Sequence, residues 1–170
     1  MITFDAHTVS TATPEDIYDV LSDVSTHIEW EGAQSPNKKF HLITLNAPSG
    51  PAGPGTTFSS EGENMIGRFY DTSVVTRAER GKLFEFETTA RLARKHAKDV
   101  QAKFSHRFEI KRDGAGSRIE YTARMEPLNY LPFWLKRGMR GMTRRQVRAM
   151  TTKHLRNLAT MAEARAKTSG

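Results

Sequence analysis

Two side chains in this sequence could hold or move a proton from inside a folded sheet: His106 and Tyr121. Each falls on the apolar parity of an alternating segment, where a polar group is costly unless it finds a partner. An imidazole titrates near neutrality, so the two could orient the polar tip of a ligand or act as an acid/base pair. The commoner arrangement is structural, and it is the one expected here. Tyr121 would then bond to Ser60, Thr88 or a buried water, and His106 to a carbonyl. Contact with a ligand comes next in expectation and catalysis last.

Other chemistries are excluded by what the chain lacks. It has no Cys, so there is neither a thiol nucleophile nor a thiolate metal site. There is no G-x-S-x-G elbow and no H-E-x-x-H pair, and His27-x-Glu29 lacks the Cys ligands of a zinc deaminase. The segment Gly50-Pro51-Ala52-Gly53-Pro54-Gly55-Thr56-Thr57 superficially looks like a phosphate-binding loop. No Lys follows Gly55, however, and Pro51 and Pro54 remove backbone donors such a loop needs, so it reads as a strand connector. Most acids lie on outward parities and no isolated carboxylate pair stands out. No metal and no cofactor is expected.

The elements that must position these groups follow from periodicity. Ile2 to Ser10 is a β-forming stretch. Thr13, Pro14, Glu15 and Asp16 form a helix start, with Thr13 as cap and Pro14 in the first helical position. Ile17, Val20, Leu21 and Val24 give that helix one apolar face, and Asp23 to Trp30 forms a second short helix ending near Gly32. Trp30 is expected to close the helices against the sheet, with capping of a cavity as its other role.

Lys38 to Leu45 reads as a strand. From Thr56 the period is two, with Phe58 and Ser60 on one face. Arg68 to Thr76 is another strand, although apolar residues on both parities leave its orientation open. In Leu83 to Leu92, Phe84 and Phe86 point inward. In Lys103 to Lys111, Phe104, His106, Phe108 and Ile110 share a face, and Ile119, Tyr121, Ala123 and Met125 do so after the turn at Asp113 to Gly116. These last three strands read as a meander with one wet face. Leu131 to Lys167 is helical, with an apolar stripe that shifts around the axis and predicts a kink near Gly138 to Thr143.

The string TPEDIYDVLSDVSTHIEW, the Gly-rich PAGPGTTF before a strand, the LFEFET strand and the closing HLRNLATMAEA helix occur in an order that spans nearly the whole chain. Together they resemble the polyketide cyclase/dehydrase and lipid transport family of the START-like, Bet v 1-like (SRPBCC) superfamily. The resemblance implies an α+β helix-grip fold, a curved antiparallel sheet wrapped around a long C-terminal helix, with two short helices after the first strand and a cavity between. It also places the Gly-rich loop near the cavity mouth, where it would gate access. Family members bind sterols, lipids, aromatic polyketides or plant hormones, and some catalyse cyclisation or dehydration.

On that architecture the lining is expected from Phe58, Phe84, Phe86, Phe104, His106, Phe108, Tyr121 and Met125 of the sheet, with Met142, Gln146 and Met150 of the helix. Met and aromatic side chains make an apolar, adaptable wall. The same residues could instead meet and fill the core.

Charge raises a separate possibility. Lys and Arg number 26 against 19 Asp and Glu, for a net charge of +7, which favours acidic partners without choosing among them. Lys136, Arg137, Arg140, Arg144, Arg145 and Arg148 form a cationic band near Phe133 and Trp134, with Arg91, Arg94, Lys95, His96 and Lys98 as possible company. Such a band could meet anionic lipid headgroups or nucleic acid, or simply be a solvated face.

With 170 residues, 37% hydrophobic and 26% charged, the chain has the makeup of one globular domain spanning 1–170. No apolar run approaches a membrane span, the first ten residues carry no apolar signal region, and the absence of Cys suits a reducing compartment, so a cytoplasmic protein is expected. The leading functional expectation is a non-enzymatic carrier of a hydrophobic or amphipathic small molecule. A polyketide cyclase/dehydratase and a module binding RNA, the ribosome or an anionic membrane are the alternatives.

Overall fold

A computed structural model describes residues 2–31, 40–64, 67–93, 98–127 and 144–169. The chain runs β1 (Ile2–Ser10), α1 (Pro14–Ser22), a 3₁₀ turn (Val24–Thr26), α2 (His27–Glu31), β2 (Phe40–Asn46) and β3 (Thr57–Asn64). It continues through β4 (Arg68–Glu79), β5 (Leu83–Ala93), β6 (Val100–Asp113), β7 (Gly116–Pro127) and α3 (Arg144–Ser169). The seven strands form one antiparallel sheet in the order β1-β7-β6-β5-β4-β3-β2, so β1 and β2 are its edges. This is the α+β helix-grip architecture.

Local chemistry explains the boundaries. Thr13 Oγ1 accepts from the Asp16 amide at 3.2 Å while the Asp16 carboxylate accepts from the Thr13 amide at 3.1 Å, a reciprocal cap that starts α1 at Pro14. The β6–β7 hairpin turns through Gly114, whose φ of +58° is strained for residues with a Cβ. At Gly116 a Cβ would stand 2.1 Å from the Ser10 carbonyl oxygen. Only glycine lets β7 start that close to the end of β1, where Ser117 Oγ also donates to the Ala12 carbonyl at 2.7 Å.

The second helical segment divides into the 3₁₀ turn and α2. The expected strand from Lys38 is described from Phe40, and β6 begins three residues earlier than its alternation suggested. The anticipated kink at Gly138 to Thr143 lies outside the described residues.

α3 lies against β1, α1 and α2. Leu155, Leu158, Ala159 and Ala162 are at most 4% exposed and meet Ile17, Leu21, Phe84 and Ile119 in the core. Polar ties set the helix in place. Glu163 Oε1 accepts from Ser10 Oγ at 2.7 Å and from the Thr11 amide at 2.8 Å, while Asn157 Nδ2 donates to the Trp30 carbonyl at 3.2 Å.

The opposite face of the sheet carries alternating charges. Glu85 pairs with Arg107, Arg107 with Glu109 at 2.6 Å, Lys111 with Glu120 at 2.5 Å and Lys103 with Glu87 at 2.7 Å. Such exposed pairs are worth about 0–1 kcal/mol each. Their main consequence is to keep that face wet, so the chemistry of the interior is confined to the concave side.

Candidate functional site

Between the concave face of the sheet, α2 and α3 lies a cavity of about 290 Å³. Its apolar wall is a run of rings. Phe86 stacks on His106 with centroids 4.4 Å apart and planes 15° from parallel, and Phe58 meets Phe86 edge-on at 5.4 Å. Phe108 lies 4.7 Å from Tyr121. Trp30, 2% exposed, meets Phe108 and His27 edge-on. These rings are brought together because β5, β6 and β7 are in register: Phe86 faces His106 across one ladder, and Phe108 faces Tyr121 across the next.

A polar stripe crosses the same face. Ser60 is in register with Asp71, and Ser73 with Thr88, whose hydroxyls share a hydrogen bond of 2.8 Å. The hydroxyl pair satisfies itself. Among the described residues Asp71 Oδ1 is buried with no hydrogen-bond partner, and Trp30 Nε1 in the same cavity wall is also unpartnered. Buried polar groups of this kind are uncommon and call for a reason.

His106 Nδ1 and the Tyr121 hydroxyl are 2.8 Å apart. Sequence reasoning expected separate partners for them, Ser60 or Thr88 for the phenol and a carbonyl for the imidazole. Instead Tyr121 stands diagonally across the β6–β7 ladder from His106, in range of its ring, and the two satisfy each other. This leaves Nε2 of His106 unused by that bond. His27 is fixed differently: its Nε2–H donates to the Leu21 carbonyl at 2.8 Å, so the neutral ring carries a bare Nδ1, 4.0 Å from Glu31 Oε1.

Burial governs how these groups ionise. Desolvation lowers His27, His106 and His154 to about 4, so all three imidazoles are neutral at pH 7. The Leu21 hydrogen bond opposes that shift in His27, while the His27 ring adds to it in His106 and Lys153 adds to it in His154. Desolvation, with Asp71 as a second cause, raises Glu31 to about 8, and desolvation alone raises Asp71 to about 7. Tyr121 is pushed up by burial and then by Glu31. At neutral pH Glu31 therefore retains its proton and Asp71 is poised between states.

Of the residues expected to line a cavity, Phe58, Phe86, Phe104, His106, Phe108, Tyr121 and Met150 do stand on its wall. Met150 is 42% exposed and marks where that wall reaches solvent. Phe84 does not: it is fully buried where α1 covers the sheet, edge-on to Tyr18 at 6.2 Å. Met125 is buried but off the wall, while its cross-strand partner Phe104 stands on it. Met142 and the Gln146 side chain lie outside the described residues.

The acids are the substantive correction. Glu31 and Asp71 both line the cavity, whereas the sequence suggested outward acids and no carboxylate pair. Asp71 escaped notice because β4 has apolar residues on both parities. In the fold its parity is that of Phe69, Ser73 and Val75, which are buried. The available signal was the cluster of small polar residues sharing parity with aromatics: Ser60 with Phe58, and Thr88 with Phe86. His27 and His154 were also missed, since neither lies in an alternating strand.

Among the described residues no group of three or more His, Asp or Glu is arranged to hold a metal ion. The cationic band is largely outside the described residues. Arg148 is exposed, Arg91 pairs with Asp99 at 3.1 Å and stacks 4.5 Å from the Tyr70 ring, and the side chains of Arg144 and Arg145 are not described. No helix among the described residues is long and apolar enough to cross a membrane.

Comparison with solved structures places the architecture. An uncharacterised protein from Rhizobium leguminosarum superposes with a TM-score of 0.68 at 12% identity, covering 96% of this chain and 95% of its own. A protein from Thermus thermophilus gives 0.65 at 14% identity over 96% and 98%. The protein Ara h 8.0201 gives 0.58 at 12% identity over 96% and 98%. At these identities the likeness is one of fold, the Bet v 1-like helix grip. No curated protein matches the sequence. The model of one family, described as polyketide cyclase/dehydrase and lipid transport, matches residues 1–163. The chain therefore belongs to the polyketide cyclase/dehydrase and lipid transport family.

Proposed function

We propose that the protein binds a small hydrophobic or amphipathic molecule in the cavity between sheet and α3. The observation that carries this reading is a space of about 290 Å³ walled by stacked rings and, across the same face of the sheet, by hydroxyl and carboxyl groups. Its volume sits near the lower end of small-molecule pockets, about 300–1,000 Å³. A compact ring system or short chain suits it better than a large lipid. Burial of about 200 Å² of apolar ligand surface would contribute roughly 5 kcal/mol. Orientation would come from Nε2 of His106, the Asp71 carboxyl and Glu31.

The test is native mass spectrometry of protein purified under mild conditions, paired with uptake of the neutral fluorophore N-phenylnaphthylamine. The expected result is one retained mass or one fluorophore per chain, with uptake lost in Phe86→Ala. Wild-type protein that holds no molecule and takes up no fluorophore would refute the reading.

One observation favours turnover as a second reading. Glu31 keeps its proton at neutral pH and shares the cavity with the His106–Tyr121 pair, which is the equipment for general acid/base work on a carbonyl-bearing chain. Cyclisation or dehydration of a polyketide-like molecule would then lose most of its rate in Glu31→Gln while binding persisted. Equal loss of binding and turnover would return the protein to the carrier class.

A further inference from the structure

The charge of the cavity wall is one-sided. Glu31 and Asp71 stand on it, and no Lys or Arg does so among the described residues. Glu31 Oε1 stands 4.0 Å from His27 Nδ1, beyond a hydrogen bond, and Asp71 Oδ1 has no hydrogen-bond partner among the described residues. Among the described residues these carboxyls remain uncompensated. A buried carboxyl oxygen without a partner calls for a donor, and the described residues supply none.

We propose that the cavity selects an amphipathic molecule bearing an ammonium group, with the cation against Glu31 and Asp71 and the apolar body against Phe86 and Phe108. This rests on reading the cavity as a ligand site. The chemistry discriminates three ways. A carboxylate or phosphate would enter beside two acids with no cation among the described residues to meet it, an uncompensated buried charge. A neutral ligand could bond to one carboxyl but would not relieve the cost of ionising the pair. An ammonium supplies the missing counter-charge.

Binding must be coupled to a proton. The other titratable groups on this wall are His27 on α2, His106 on β6, Tyr121 on β7 and His154 on α3. The imidazoles are neutral and the phenol un-ionised at pH 7, so the carboxyls alone titrate there. An arriving ammonium favours the carboxylate form, and the displaced proton leaves to solvent. Affinity for the cation therefore rises with pH through the range 7 to 8, where the carboxyls ionise.

The experiment compares three fluorescent probes that share a naphthalene ring: naphthylethylamine, naphthylethanol and naphthylacetate. At pH 7 the amine should bind about ten-fold tighter than the alcohol, and the acid weakest. In Glu31→Gln/Asp71→Asn the amine's preference over the alcohol should disappear, with a urea midpoint at pH 7 no lower than that of wild type showing that the variant is folded. Calorimetry of wild-type protein in two buffers of different ionisation enthalpy should show release of a substantial fraction of one proton per amine bound. An amine that binds no tighter than the alcohol, or that releases no proton, overturns the proposal and leaves the cavity reading standing. Failure of all three probes to bind overturns both.

Discussion

Replacing Glu31 by Gln should make the protein more stable at neutral pH, because the native carboxyl is held in its protonated form by surroundings that penalise its charge. In the unfolded chain this group titrates near 4.5; in the fold it is raised to about 8. Between those values the unfolded state releases a proton that the folded state keeps, so stability falls as pH rises. Each pH unit is worth about 1.4 kcal/mol. From 4.5 to 7 the full slope amounts to about 3 kcal/mol, and since 31% of the Glu31 side chain is accessible, about 2 kcal/mol is the figure to expect. Gln has the shape of the protonated acid and no proton to lose. It should equal wild type near pH 4, exceed it by about 2 kcal/mol at pH 7, and gain nothing further above pH 8. Urea unfolding at half-unit intervals from pH 4 to 8 measures the difference directly. A variant whose stability parallels wild type across that range would refute the burial argument, and with it the cause assigned to the raised carboxyl.

Three other outcomes follow from the geometry. Tyr121→Phe removes the partner of His106 Nδ1 and should cost about 1–3 kcal/mol in urea unfolding; its ring contacts with Phe108 survive, so a cost near zero would show that water replaces the phenol. Leu158→Ala, at a fully buried site on α3, should cost about 2–5 kcal/mol by the same assay, and a loss below about 1 kcal/mol would mean the helix does not grip the sheet as described. Thr13→Ala removes the reciprocal cap of α1 and should cost about 1 kcal/mol, visible as a lowered denaturation midpoint with unchanged slope.

The acids show how a fold can carry a group that local stability does not favour. Two carboxyls in a cavity with no cation among the described residues oppose folding at neutral pH, and they persist because the core under α1 and α3 stabilises the whole. Phe84, Leu155, Leu158 and Ile119 are fully or almost fully buried in that core. The division of labour is spatial: α1 closes one part of the concave face into packed core, and the part facing α2 and the middle of α3 is left as a cavity.

Much of this was legible along the chain. Alternation places Phe58, Phe86, Phe104, His106, Phe108 and Tyr121 inward because a strand has period two, and the sheet preserves that assignment whatever its neighbours. The Thr13–Asp16 cap, the turn at Gly114 and the helix grip itself are consequences of local propensity and element order. What folding alone decided is which inward residues meet one another and which of them face empty space. Phe84 and Phe86 are equivalent by pattern, yet only Phe86 reaches the cavity, since α1 lies over Phe84. His106 and Tyr121 become partners through the β6–β7 register. Glu31, from a five-residue helix, and Asp71, from a strand whose pattern runs both ways, come to share one cavity because long-range strand pairing and helix packing bring them there, and separation along the chain holds no record of that distance.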